Sequence, residues 1–181
     1  MSIRSFLQEN SKFSTPAAIL ILAVALSVII YNARLGGPEF PSSKWMFDLN
    51  TGKLVEAPID TFAPSDLGNG QFSYSELGDA GSAVDVMIYS CGRSSNKVRE
   101  GMTVEDLAEV DVYIGFLSRL PNDRLFAVQE SGTQNLPAGG MLISDITGQN
   151  WVREGSRKSE LIFQAIADRC GSDLPKPAKN P

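Results

Sequence analysis

The chain has 181 residues, 43% of them apolar and 20% charged, and its 16 basic residues against 21 acidic ones leave a net charge of −5 with no histidine. Such a composition belongs to a folded protein and excludes a disordered chain, and the acidic balance argues against a nucleic-acid partner. Without histidine there can be no Ser-His or Cys-His nucleophile pair, no ordinary zinc site and no histidine-ligated haem or bacteriochlorophyll.

The first residues, with Ile3, Phe6 and Leu7 at i, i+3 and i+4, suit one short amphipathic turn on a cytoplasmic surface with Arg4 toward headgroups. From Thr15 to Ala33 the chain runs nineteen residues without a charge. At 1.5 Å per residue this stretch reaches about 28 Å, which predicts a single membrane-spanning helix. The apolar run is longer than that of a cleaved signal peptide, and Tyr31 and Ala33 make a poor cleavage site, so an uncleaved signal anchor is expected. A short leader (1–14) that stays in the cytoplasm then places the remainder in the periplasm of a bacterial inner membrane. Phe13 and Tyr31 stand where interfacial aromatics belong. Ala23 and Ser27 form a small-xxx-small pair that lets another helix approach, the alternative being a face that meets only lipid. The span carries no ionisable side chain, which removes ion or proton conduction.

Residues 34–44, rich in Gly, Pro and Ser, read as a linker, and the expected exported domain runs from 45 to 171. Up to Arg34 the net charge is +2, so the remainder carries −7: a surface for a basic soluble protein, or plain solubility. Trp45–Leu49 and Lys53–Ala57 flank Asn50-Thr51-Gly52, a hairpin in which a three-residue loop would use a positive φ at Gly52. Residues 58–70, broken by prolines and glycines, look irregular, and Gln71–Glu76 alternates with Phe72 and Tyr74 on one face. Ala83–Cys91 is nearly continuous in apolar character and predicts a central strand. Residues 92–101 read as an exposed loop. Leu107, Val110, Ile114 and Leu117 repeat with helical period, so Thr103–Leu120 is expected to be helical, with Thr103 and Asp106 as a capping box, either as one helix or as two short ones where Asp111, Val112 and Gly115 weaken the middle. Leu125–Gln129 and Met141–Ser144 read as strands, Trp151-Val152 as a short edge, and Ser156–Cys170 as a helix stopped by Gly171. The last ten residues hold three prolines and should be extended, either as a clamp on a neighbour or as an unstructured terminus. The expected class is therefore α+β: one N-terminal transmembrane helix followed by a small domain with a mostly antiparallel sheet and two or three packed helices.

The sequence offers no cofactor or metal site and no phosphate loop. Asp48, Glu56, Asp85 and Asp145 are carboxylates suited to acid-base work, but no pairing among them is evident, and Asp48 before the hairpin turn is expected to bind turn amides. No catalytic residue is assigned. Cys91 and Cys170 in an exported domain form one disulfide closing a loop of about 80 residues, or remain two buried thiols, or leave Cys91 reactive. Ser94 stands where a C-x-x-C motif would need its second cysteine.

Trp45-Met46-Phe47-Asp48-Leu49-Asn50-Thr51-Gly52, directly after a single-pass anchor, resembles the start of a family of uncharacterised bacterial membrane-anchored proteins whose exported domain opens with an F/Y-D-L-N-T-G hairpin. Ser90-Cys91-Gly92, Ile114-Gly115-Phe116-Leu117, Trp151 and Arg169-Cys170 match the later motifs of that family, and the similarity covers most of residues 45–171. The chain lacks the family's second cysteine after Cys91 and the last cysteine of its Pro-rich tail. The family supplies no activity for the resemblance to carry over. The expectation is a structural subunit of a bacterial membrane complex, photosynthetic (reaction-centre or light-harvesting) or respiratory, whose domain bridges partner subunits. The alternative is a free-standing, membrane-tethered binding or enzymatic domain.

Overall fold

The computed structural model describes residues 11–34, 41–92, 97–131 and 140–181. The expected amphipathic turn at Ile3–Leu7, most of the 34–44 linker and Ser94 lie outside the described residues. The chain divides into two compact units, Met1–Phe40 and Pro41–Pro181.

The described residues of the first unit form a continuous helix, α1, Ser11–Arg34, which includes the whole uncharged stretch. Its side chains are described for residues 19–31, all exposed. Among the described residues no helix is long and apolar enough to cross a membrane.

The second unit is α+β. Its strands are β1 (Ser43–Asp48), β2 (Lys53–Pro58), β3 (Gln71–Ser73), β4 (Asp79–Gly81), β5 (Ala83–Cys91), β6 (Val112–Arg119), β7 (Leu142–Ser144), β8 (Val152–Arg153) and β9 (Pro175–Pro177). Its described α-helices are α2 (Val104–Glu109), α3 (Asn122–Ser131) and α4 (Arg157–Arg169), and Ser75–Leu77 is a 3-10 turn. The main sheet has the order β2-β1-β5-β6-β7-β8, with every pairing antiparallel and β9 added to β5. β3 and β4 form a separate hairpin.

β5 is the central strand, because its apolar alternation serves two faces. Val84, Val86 and Ile88 join Trp45, Phe47, Leu54, Ile114 and Leu117 in the main core, which Tyr74 and Leu107 cover. On the other face Met46, Ala57, Ala63 and Ala83 form a smaller cluster. The hairpin loop has four residues, 49–52, rather than three, since Asp48 pairs with Lys53, and Gly52 takes φ 69° as the turn requires.

Two expected elements differ. The Thr103–Leu120 helix is only α2, with its Thr103–Asp106 capping box intact. Asp111 at φ 59° then breaks the helix, and Val112–Arg119 is strand β6. The helical period was a coincidence of Leu107 and Val110 around one turn with Ile114 and Leu117 on one strand face. Burial of Val112, Tyr113 and Ile114 in succession is what a strand covered on both sides demands. The register skips Gly115 between Phe116 and Ile114, a bulge where a Cβ would stand 2.6 Å from the Tyr89 ring. The expected strand at Leu125–Gln129 is part of α3, whose first turn bonds Arg124 and Leu125 amides to the Pro121 carbonyl.

The proline tail is extended and belongs to the second unit. Ala178 N donates to Ile88 O at 2.9 Å, and the Trp45 indole donates to Lys179 O at 3.2 Å. With Ala178 bonded to Ile88, alternation along the ladder turns Pro175 and Pro177, which lack an N–H, away from β5.

Candidate functional site

Each carboxylate singled out in the sequence has a local occupation or an exposed place. Asp48 is fully buried at the end of β1. Its Oδ1 accepts from Asn50 N, Thr51 N and Thr51 Oγ1 at 2.8–3.1 Å, and its Oδ2 accepts from Ser82 Oγ at 2.7 Å. Burial works against its charge, but the bonds from Ser82, Thr51 and Asn69 outweigh burial and hold the carboxyl below its ordinary pKa. Asp85 pairs with Lys44 at 2.5 Å, and burial raises its pKa despite that cation. Asp145 accepts from Thr147 N and Oγ1 within its own turn. Glu56 faces solvent on β2. The structure does not bring the four together, and among the described residues no three His, Cys, Asp or Glu side chains cluster for a metal.

Cys91 and Cys170 are joined, with Cα atoms 5.3 Å apart. The bond ties the end of the central strand to the end of α4, five residues before Pro175 pairs back onto Cys91 itself. Tyr113 stands against it, its hydroxyl 3.3 Å from Cys170 Sγ and 3.2 Å from the Ile166 carbonyl, with the Arg169 guanidinium 4.4 Å above its ring. Burial raises the Tyr113 pKa.

Ser27 Oγ donates to the Ala23 carbonyl at 2.8 Å, four residues back on α1. The hydroxyl is thereby satisfied within the helix, and the small residues remain a shallow, exposed strip.

One constellation was not legible in the sequence. Arg119, the last residue of β6, is wholly buried. Its guanidinium lies 3.9 Å from the centre of the Tyr74 ring and 5.7 Å from that of Trp151. Nε donates to the Leu120 carbonyl at 3.1 Å and Nη2 to Asn122 Oδ1, whose amide nitrogen in turn holds the Leu77 carbonyl at 2.8 Å. Burial lowers the Arg119 pKa, yet an arginine stays charged throughout the range of protein chemistry. Burial also raises the Tyr74 phenol far above its usual range, so that ring remains neutral. Tyr74 is fixed by donating to the Gly81 carbonyl and by an edge contact with Phe72 at 5.0 Å. Trp151 is fixed by its indole bond to Gly148 O at 2.7 Å. The two rings meet edge-on at 5.8 Å and form part of the wall of a cleft of about 410 Å³, with Glu76, Gln149, Asn150 and Lys158 around it. Reading residues 103–120 as helical gave Arg119 no place in the core. The available signal was strand period, since Leu117 and Arg119 share a face in β6.

No protein-family model matches the chain, and no curated protein or solved structure matches it.

Proposed function

We propose that this chain is a non-catalytic accessory subunit of a bacterial membrane protein complex, anchored by α1 in the inner membrane, with its N-terminus cytoplasmic and residues 41–181 periplasmic. What supports the reading is the sequence: the nineteen-residue uncharged run Thr15–Ala33, long enough to span a bilayer as a helix, falls within α1 and precedes a separately compact unit along the chain. The disulfide fits an oxidising compartment. The occupation of Asp48, Asp85 and Asp145 in turns and an ion pair favours a scaffold over an acid-base catalyst. Membership of the membrane-anchored family that the opening hairpin resembles, and a photosynthetic or respiratory assembly as the setting, belong to this proposal. The strip at Ala23 and Ser27 is the helix-packing face, and the acidic second unit bridges neighbours or meets a basic soluble protein.

Gentle detergent extraction, a native gel and mass spectrometry test it. Co-migration with other subunits is expected, and A23L/S27L should loosen that association; a lone species of about 20 kDa would refute the subunit reading. The alternative, a membrane-tethered ligand-binding domain, is favoured by one feature, the buried Arg119 behind its aromatic cleft.

A further inference from the structure

The Cys91–Cys170 bond presents its two ends unequally. Cys91, closing β5, is exposed, whereas Cys170, just past α4, is half-buried. β9 borders the bond where Pro175 pairs with Cys91, and Tyr113 borders it at Cys170, so a reactant that reaches it is small. The Tyr113 hydroxyl donates to the Ile166 carbonyl at 3.2 Å and lies 3.3 Å from Cys170 Sγ, close enough to turn its hydrogen to that sulfur. A disulfide sulfur is a weak acceptor and has little use for the donor, but a thiolate accepts strongly. Burial keeps the phenol protonated at neutral pH, and Arg169, the residue before Cys170, brings its guanidinium within 4.4 Å of the same ring. A negative charge on Cys170 thus has a donor beside it and a cation close by. The Cys91 end differs: a Cβ on the adjoining Gly92 would meet Asp173 Oδ2 at 3.5 Å, so the charged group close to it is a carboxylate.

We propose that Cys91 is a thiol-exchange site of fixed polarity: a small external thiol attacks Cys91 Sγ as its thiolate and expels Cys170 as the leaving thiolate. The bond from the incoming sulfur to Cys91 forms as the bond between Cys91 and Cys170 breaks, and the electron pair of the broken bond stays on Cys170 Sγ. The Tyr113 hydroxyl turns from the Ile166 carbonyl to this sulfur and donates to it. The proton lost by the incoming thiol balances the one that Cys170 takes up as it becomes a thiol. The product is a mixed disulfide on Cys91 and a free Cys170, with no net oxidation or reduction, and Cys170 reverses the step by attacking the adduct. Two contacts keep Cys170 within reach of Cys91 while the bond is open: the β9 pairing with β5 and the Trp45 indole bond to the Lys179 carbonyl. The site is independent of the subunit role proposed above.

The test uses the full oxidised chain in mild detergent at pH 8, with 2-mercaptoethanol as an uncharged probe. Samples are quenched early with acid, free thiols are capped with N-ethylmaleimide, and peptide mass spectrometry locates adduct and cap. Among singly opened chains the adduct should sit on Cys91 and the cap on Cys170, by about ten to one over the reverse. Tyr113→Phe deletes one oxygen and should slow exchange about fivefold, because only part of the charge has reached the leaving sulfur in the transition state. A merely structural Tyr113 would act in the opposite direction, since loosening the fold exposes the bond and speeds exchange. The position of the adduct is read on the parent chain, so the test stands even if the variant fails to fold. Adducts shared equally or lying on Cys170, no adduct until urea is added, or a folded Tyr113→Phe that exchanges as fast as the parent or faster overturns the assignment.

Discussion

Replacing Asp48 separates a structural carboxylate from a reactive one. In Asp48→Ala the two turn amides of Asn50 and Thr51 lose their acceptor, and both lie near solvent where water can replace it. Ser82 Oγ, on a fully buried residue, loses the carboxylate with no such replacement. Bonds to a charged group are worth about 1.5–3 kcal/mol each and do not add fully, so the loss should be about 3–4 kcal/mol. Asp48→Asn keeps an oxygen for the turn amides and should cost about 1–2 kcal/mol. The folded-state pKa lies below the unfolded one, so the stabilisation is fully present above the unfolded carboxylate value, about 3.9, and is lost as pH falls through the folded value. Urea melts of the full chain in detergent at pH 7 and between pH 5 and 2.5 measure both effects. Asp48→Asn should flatten the acid limb of stability. A loss under 1 kcal/mol for Asp48→Ala, or an acid limb unchanged in Asp48→Asn, refutes the reasoning.

Three further outcomes are expected. C91S/C170S frees a loop whose ends are 79 residues apart, and the chain-entropy argument gives a loss of about 4 kcal/mol, read by the same urea melts; an unchanged midpoint would show that α4 and β9 hold the chain end unaided. Gly81→Ala drives a Cβ to 2.1 Å from the Ser65 carbonyl carbon, a backbone clash that no side-chain rotation relieves, so a loss of about 3 kcal/mol or a failure to fold should result, and a thermal melt matching the parent would contradict it. Thr103→Ala removes the hydroxyl that accepts from Asp106 N and should cost about 1 kcal/mol, measured by the midpoint of denaturation.

Local rules explain which elements were legible. The opening hairpin, the central strand Ala83–Cys91, the capping box at Thr103 and the last helix each carry their own signal within a few residues: a turn glycine, an apolar run, a capping pair, an amphipathic face ended by Gly171. β6 and α3 were misread because Leu107–Leu117 fits two periods at once and Leu125–Gln129 is short and apolar. In such segments the choice is made by what packs above and below. Tyr113 and Ile114 are buried together because the sheet is covered on both faces there, and no window of sequence contains that fact.

By itself the sequence determined the uncharged stretch from Thr15 to Ala33, the acidic balance of the residues beyond it, the histidine-free chemistry and the turn at Asn50–Gly52, since composition and short-range sterics suffice for each. Tertiary structure alone decided that Cys91 meets Cys170, that the proline tail closes onto β5, and that Arg119 stands buried against Tyr74 and Trp151. Those contacts join residues 79 positions apart for the disulfide, 84 to 88 for the tail, and 45 and 32 for Arg119 with Tyr74 and Trp151, and their formation depends on strand register, a long-range property that no local pattern encodes.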